Sequence, residues 1–178
     1  MKLSLFIRIL RQRREVRNGH RCRSAITPEV GESMATLGKA IAIAAQAHQE
    51  QHDKAGAPYI LHPLRMMLRM SSETEMMAAI LHDVVEDTDW TLDQLRQAGF
   101  REEVVQAVEC LTHRDQETYE EFIARVSANP IARKVKLADL EDNMDMRRLR
   151  VVTERDAEGL HKYHRAWLTL GQMGDSCS

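Results

Sequence analysis

Met76-Met77-Ala78-Ala79-Ile80-Leu81-His82-Asp83-Val84-Val85-Glu86-Asp87-Thr88 is the stretch that decides the fold. Met, Ala and Leu are strong helix formers, and the run is apolar on nearly every face up to His82. A helix that is apolar all round is a buried helix. Ser72, with Glu75 three residues on, forms the signature of a capping box. The pattern therefore predicts a central helix from Ser72 to about Val85. A carboxylate and an imidazole inside such a helix are costly unless they are paired or bound to a metal. Adjacent helical residues point about 100° apart, yet His82 and Asp83 can converge on one ion along the helix edge. Glu86 lies i+4 from His82 and i+3 from Asp83, so it rises on the same side one turn later. Asp87 begins the following loop.

Helical patterns continue on both sides of this run. Leu37, Ile41, Ala44, Ala45 and His48 share one helical face in a pattern that opens at Met34. Gln51 to Pro58 contains Gly56 and reads as a loop. Tyr59 to about Met70 reads as a second helix, with Pro63 tolerated in its first turn. On the C-terminal side, Thr91 with Gln94 opens a short helix ending near Gly99. Glu102–Leu111 is amphipathic. Thr118 with Glu121 opens a helix that stops near Asn129. Pro130 suits the first turn of the next helix, which carries the chain to Asn143. Thr153 begins the last helix, which runs through Leu170. Nothing alternates with period two for long enough to argue a strand, and no dinucleotide or P-loop glycine pattern occurs. The expected fold is all-α.

The 178 residues suffice for one domain with a sizeable core. Residues 1–33 hold eight Lys/Arg against three Asp/Glu, a balance of +5, which leaves −7 for the rest of a chain whose formal net charge is −2. An acidic domain has no electrostatic footprint for duplex nucleic acid. Cys22, Cys110 and Cys177 are widely spaced and odd in number, which suits reduced thiols in the cytoplasm. No apolar run approaches the length of a membrane span. In residues 1–33 most charges follow the apolar run Leu3–Leu10, the reverse of a secretory signal. The expected organisation is a flexible basic extension over 1–33, with Met34 a candidate start, and one domain over 34–174. The alternative for the extension is a basic amphipathic segment that touches a membrane or a partner.

Three short segments carry an unusual load of metal-ligand residue types: Tyr59-Ile60-Leu61-His62-Pro63, His82 to Thr88, and Lys136-Leu137-Ala138-Asp139 leading to Asn143. Each alone has an ordinary reading: a helix-start histidine, a helix end with a turn, a surface aspartate neutralised by Lys136. Together, each embedded in apolar helix, they point to one metal site. Mixed His/carboxylate ligation suits a first-row divalent ion such as Mn²⁺ or Fe²⁺.

These residues resemble the HD superfamily of metal-dependent phosphohydrolases, whose ligand pattern is H…HD…D. Ala47-His48, Lys54-Ala55-Gly56-Ala57-Pro58-Tyr59-Ile60-Leu61-His62-Pro63-Leu64, Leu81 to Thr88, and Val135 to Asp139 with Asn143 look like the hydrolase domain of Rel/Spo-type alarmone enzymes. The likeness is greatest to its small stand-alone forms and covers about residues 35–170. It implies a single-domain HD helical bundle with one Mn²⁺ held by His62, His82, Asp83 and Asp139. It also implies water activation by Glu86 and Asp87, and substrate contacts from Lys54, Tyr59 and Asn143. The implied activity is removal of the 3′-pyrophosphate of (p)ppGpp, a small-molecule nucleotide, in the cytoplasm. The chain departs from the family at Asp53 and Ala55, where Arg-Lys-Ser is usual, and at Leu140-Glu141-Asp142, where a more basic stretch is usual. Two alternatives therefore stay open: hydrolysis of another nucleotide or phosphate ester, and a nucleotide-binding regulatory module.

Overall fold

The computed structural model describes residues 34–172. The expected extension 1–33, and residues 173 and 174 of the expected domain, lie outside the described residues. Among the described residues the helices are α1 (Leu37–Ala47), α2 (Leu61–Met67), α3 (Glu73–Leu81), α4 (Val84–Asp87), α5 (Leu92–Gln97), α6 (Glu102–Leu111), α7 (Tyr119–Ser127), α8 (Pro130–Met144) and α9 (Glu154–Gln172), with a 3₁₀ turn at Met146–Arg148. No strand occurs among the described residues, and His52 and Pro58 form an isolated bridge across a loop. The all-α expectation holds.

The apolar run is the centre of the bundle. Ala78, Ala79, Ile80 and Leu81 are fully buried. α3, which carries them, packs against α1, α2, α6 and α8, while α9 covers α8 and α7. Burying each such Ile or Leu side chain contributes about 1.5–3 kcal/mol. The three expected capping boxes are all present: Ser72 with Glu75, Thr91 with Gln94, and Thr118 with Glu121. Asn129 caps α8 by accepting from the Ala132 amide, with Pro130 in the first turn. α5 ends at Gly99, whose φ of 88° is a left-handed conformation that glycine adopts without a Cβ penalty.

Two boundaries differ from the sequence reading. The second helix begins at Leu61 rather than Tyr59 and ends at Met67 rather than about Met70, because tighter bonds from Arg69 and Met70 to the Met66 and Met67 carbonyls unwind its end. The central helix does not run on to Val85. It stops at Leu81 and resumes as the short α4 at Val84. At the break the His82 ring donates from Nδ1 to the Ala79 carbonyl at 2.9 Å, the acceptor that a continuing helix would offer to the Asp83 amide. Asp83 then takes φ −100°, ψ −5°, in the sparsely used bridge region. His82 and Asp83 thus occupy a corner between helices, not the edge of one.

Candidate metal centre

Three elements meet at this corner. The first turn of α2 supplies His62, the α3–α4 break supplies His82 and Asp83, and the middle of α8 supplies Asp139. His62, His82 and Asp139 are buried, and each offers one ligand atom within 4.8 Å of the others. Asp83 is not part of that mutually close set. Its Oδ2 lies 2.7 Å from His82 Nε2 and 3.9 Å from His62 Nε2. His62 Nε2 is 3.3 Å from Asp139 Oδ1.

Both imidazoles have their tautomer set from behind. His82 Nδ1 donates to the Ala79 carbonyl, which leaves Nε2 facing Asp83. His62 Nδ1 meets Asp142 Oδ2 at 2.7 Å, which directs its Nε2 at Asp139 and Asp83. Such outer partners are the usual means of orienting metal-binding histidines. The donor set passes a further test. His82 Nε2 is buried without a hydrogen-bond partner although Asp83 Oδ2 is at contact distance. A ring nitrogen and a carboxylate oxygen packed together with no aligned hydrogen bond between them suit a shared cation. These residues fit a divalent metal ion.

Without an ion the carboxylates hold both imidazoles in the protonated form, so an ion bound at Nε2 would take the place of a proton. Burial by itself would lower the His62 imidazole, but Asp139 and Asp142 beside it raise its pKa to about 9. Burial works against ionising Asp83 and Asp139 as well. His82 overrides it at Asp83, and Lys136 with His62 overrides it at Asp139, so both carboxyls lie below the usual carboxylate range. Lys136 is itself buried, with Nζ 2.6 Å from Asp139 Oδ2 and 5.1 Å above the centre of the Phe122 ring. The pocket holds clustered anions, with positive charge drawn in to balance them.

The remaining expected residues are placed as follows. Tyr59 donates its hydroxyl to Asp83 Oδ2 at 2.5 Å. Asn143 donates from Nδ2 to the Asp139 carbonyl and, at 2.5 Å, to Asp139 Oδ1. Both are therefore engaged with carboxylates of the cluster. Glu86 accepts from the His113 amide at 2.9 Å. Asp87 accepts at its main-chain carbonyl from Gln51 Nε2, and Gln51 Oε1 in turn meets His48 Nδ1 at 2.8 Å. Lys54 is half exposed on the loop rim, its Nζ 3.8 Å from Asp156 Oδ1 at the start of α9.

Sequence reasoning missed a second layer. Asp142 bonds His62 and is gripped by Arg65 through two hydrogen bonds, Nε to Oδ1 at 2.6 Å and Nη2 to Oδ2 at 2.9 Å. Arg148 reaches the Asp142 carbonyl at 2.5 Å and Asp53 Oδ2 at 3.4 Å. Asp53 in turn accepts at Oδ1 from the amides of Ala55 and Ala57 and so shapes the loop. The available signal was the spacing of Asp142, i+3 from Asp139 on one helix.

Comparison with known proteins adds independent weight. The HD domain family matches residues 40–160. The guanosine-3′,5′-bis(diphosphate) 3′-pyrophosphohydrolase MESH1 of Homo sapiens is 35% identical over 125 residues, which cover 62% of this chain and 68% of that protein. The guanosine-3′,5′-bis(diphosphate) 3′-pyrophosphohydrolase of Aquifex aeolicus (strain VF5) is 35% identical over 121 residues, 61% of this chain but only 17% of that protein. A GTP pyrophosphokinase of Streptomyces coelicolor is 34% identical over 122 residues, 14% of its length. The chain thus spans a small fraction of the long bacterial relatives. A solved structure described as a metazoan ortholog of SpoT that hydrolyzes ppGpp superposes with a TM-score of 0.58 at 24% identity, over 84% of this chain and 96% of that one. That likeness establishes the shared fold.

Proposed function

We propose a function from one premise: the chain belongs to the HD-domain family. It acts as a metal-dependent phosphohydrolase that removes the 3′-pyrophosphate of (p)ppGpp. The observation that carries this reading is the convergence of His62, His82 and Asp139, buried and with imidazole tautomers set from behind, on a point Asp83 also borders. The match to MESH1, over two thirds of that protein's length, supports the substrate. The relatives named as pyrophosphokinases are far longer than the segment they share with this chain.

In this reading His62, His82, Asp83 and Asp139 hold one divalent ion, Mn²⁺ by the mixture of nitrogen and oxygen donors. When bound, the ion supplies Lewis-acid stabilisation of phosphate charge. Glu86, with Asp87, accepts the proton of the attacking water. Lys54 leaves Asp156 to meet a substrate phosphate. Tyr59 and Asn143 hold the carboxylates of Asp83 and Asp139 in place and line the entry for the nucleotide. Water adds at the 3′-phosphorus, the bond to the ribose 3′-oxygen breaks, that oxygen takes up a proton, and pyrophosphate leaves together with GDP from ppGpp or GTP from pppGpp. The domain spans 34–174 and works in the cytoplasm. No helix among the described residues is long and apolar enough to cross a membrane.

The test is Mn²⁺-supplemented turnover of ppGpp and pppGpp beside a nucleotide panel, with products identified. Pyrophosphate released from ppGpp is expected. Asp83→Ala should lose metal binding and turnover together, whereas Glu86→Gln should keep the metal and lose turnover. Full activity in Asp83→Ala would refute the assignment. A second reading, hydrolysis of another nucleotide, draws on the loop at Asp53, where a carboxylate paired with Arg148 faces the rim. Phosphate released from other nucleotides, with ppGpp untouched, selects it.

A further inference from the structure

Asp142 lies outside the four proposed ligands, yet its carboxylate binds one of them, His62, directly. It is buried on α8, one turn beyond Asp139. Its Oδ2 is 2.7 Å from His62 Nδ1, on the opposite side of the ring from the cluster. Arg65, one turn along α2 from His62, closes a two-point grip on the same carboxylate. Arg148 adds a third cationic group, bonding the Asp142 carbonyl and lying 3.4 Å from Oδ2.

We propose that Asp142, clamped by Arg65, is the positioning residue that makes His62 a metal ligand. The inference rests on the metal reading of the cluster given above. A carboxylate accepting from Nδ1–H fixes the neutral tautomer with its lone pair on Nε2 and raises the donor strength of that nitrogen. A free carboxylate on a helix can rotate about two side-chain bonds, and a two-point guanidinium grip removes that freedom. Arg65 and His62 sit at i and i+3 on one short helix, so the clamp holds the ring and its acceptor as one unit. Among the described residues no hydrogen bond or ion pair links Asp142 to Asp139 or His82, so its effect reaches the ion through His62.

The test measures Mn²⁺ affinity of the full chain by titration of free Mn²⁺, and the visible spectrum of the Co²⁺-loaded protein. Wild type and the variants Asp142→Ala, Asp142→Asn and Arg65→Ala are compared at a temperature where each is folded by circular dichroism. Asp142→Ala should weaken Mn²⁺ binding by about 10–100-fold and alter the Co²⁺ bands. Asp142→Asn keeps an acceptor oxygen for Nδ1–H and should recover part of the affinity, and Arg65→Ala should show a smaller loss. Wild-type affinity with an unchanged Co²⁺ spectrum in Asp142→Ala overturns the proposal. If that variant does not fold, wild-type affinity in both Asp142→Asn and Arg65→Ala overturns it instead. Failure of the wild-type chain itself to bind Mn²⁺ or Co²⁺ refutes the metal reading, a result distinct from the one that removes Asp142 alone.

Discussion

Lys136 shows what a single side chain does at this centre. Its ammonium is buried between Asp139 and the face of Phe122. Burial alone would favour the neutral amine, but Asp139 and Tyr119 hold the lysine pKa above its ordinary value. The charge is therefore present, and it offsets the carboxylate of a proposed ligand. Removing one partner of such a buried pair destabilises by about 3–5 kcal/mol, because the other charge is left without compensation. Lys136→Met should lower the stability of the metal-free protein by that order, and Mn²⁺ should restore part of the loss by supplying positive charge beside Asp139. Chemical denaturation with and without Mn²⁺ reads both effects, and an unchanged metal-free stability would show that Lys136 is not the counter-charge. The lysine was legible as a neutralising partner because it lies i−3 from Asp139 on one helix. Arg65 was not, because its partner Asp142 is 77 residues away and no local pattern links them. Asp142 itself was visible as a departure from a family pattern and by its spacing from Asp139, but its bond to His62 spans 80 residues.

At the scale of elements, caps were the most legible feature because their chemistry is local. A hydroxyl, an amide and a carboxylate or carboxamide three residues apart are sufficient, and all three boxes read from the chain are formed. The break at His82 was not legible, because apolar residues lie on both sides of His82-Asp83 and the bond from the His82 ring to the Ala79 carbonyl has no sequence signature. The C-terminus of α6 has a different stop, one supplied from another helix. Arg125 of α7 donates to the carbonyls of Glu109, Cys110 and Thr112 and holds Glu117 through two bonds of 2.7 Å. A cation among the last carbonyls of a helix satisfies orphan acceptors and complements the helix dipole. Arg125→Ala should cost about 3 kcal/mol, and Arg125→Lys should recover little, since an ammonium cannot reproduce the fork. The same pair sets an acid limit. Arg125 lowers the Glu117 carboxyl to about 2 from 4.5. A depressed carboxylate contributes stability that is complete above its unfolded value and is lost as pH falls through its folded value. Stability in wild type should therefore decline between about pH 4.5 and 2 by more than in Arg125→Ala, a difference measurable by thermal melts across that range.

At the scale of the molecule, the proposed ligands come from three elements that meet only when the bundle is assembled. His62 opens α2, His82 and Asp83 form the corner after α3, and Asp139 sits mid-way along α8. All three helices pack on one another, and α3 lies at the centre of the core. The unfolded chain holds no such constellation, so an ion that binds there binds the native state alone and its binding energy adds to folding stability. At one hundred times the dissociation constant this linkage is worth about 2.7 kcal/mol. For a domain of this size that corresponds to a rise in melting temperature of roughly 10 °C. Thermal melts of the full chain should show this rise with Mn²⁺. They should show a single transition, since the ligand-bearing helices share one core. His82→Ala removes a ligand whose ring also bonds the Ala79 carbonyl, so its metal-free melt should fall and its response to Mn²⁺ should vanish. A melt that rises with Mn²⁺ equally in wild type and His82→Ala would place the ion elsewhere on this acidic domain and detach the corner at α3 from metal binding.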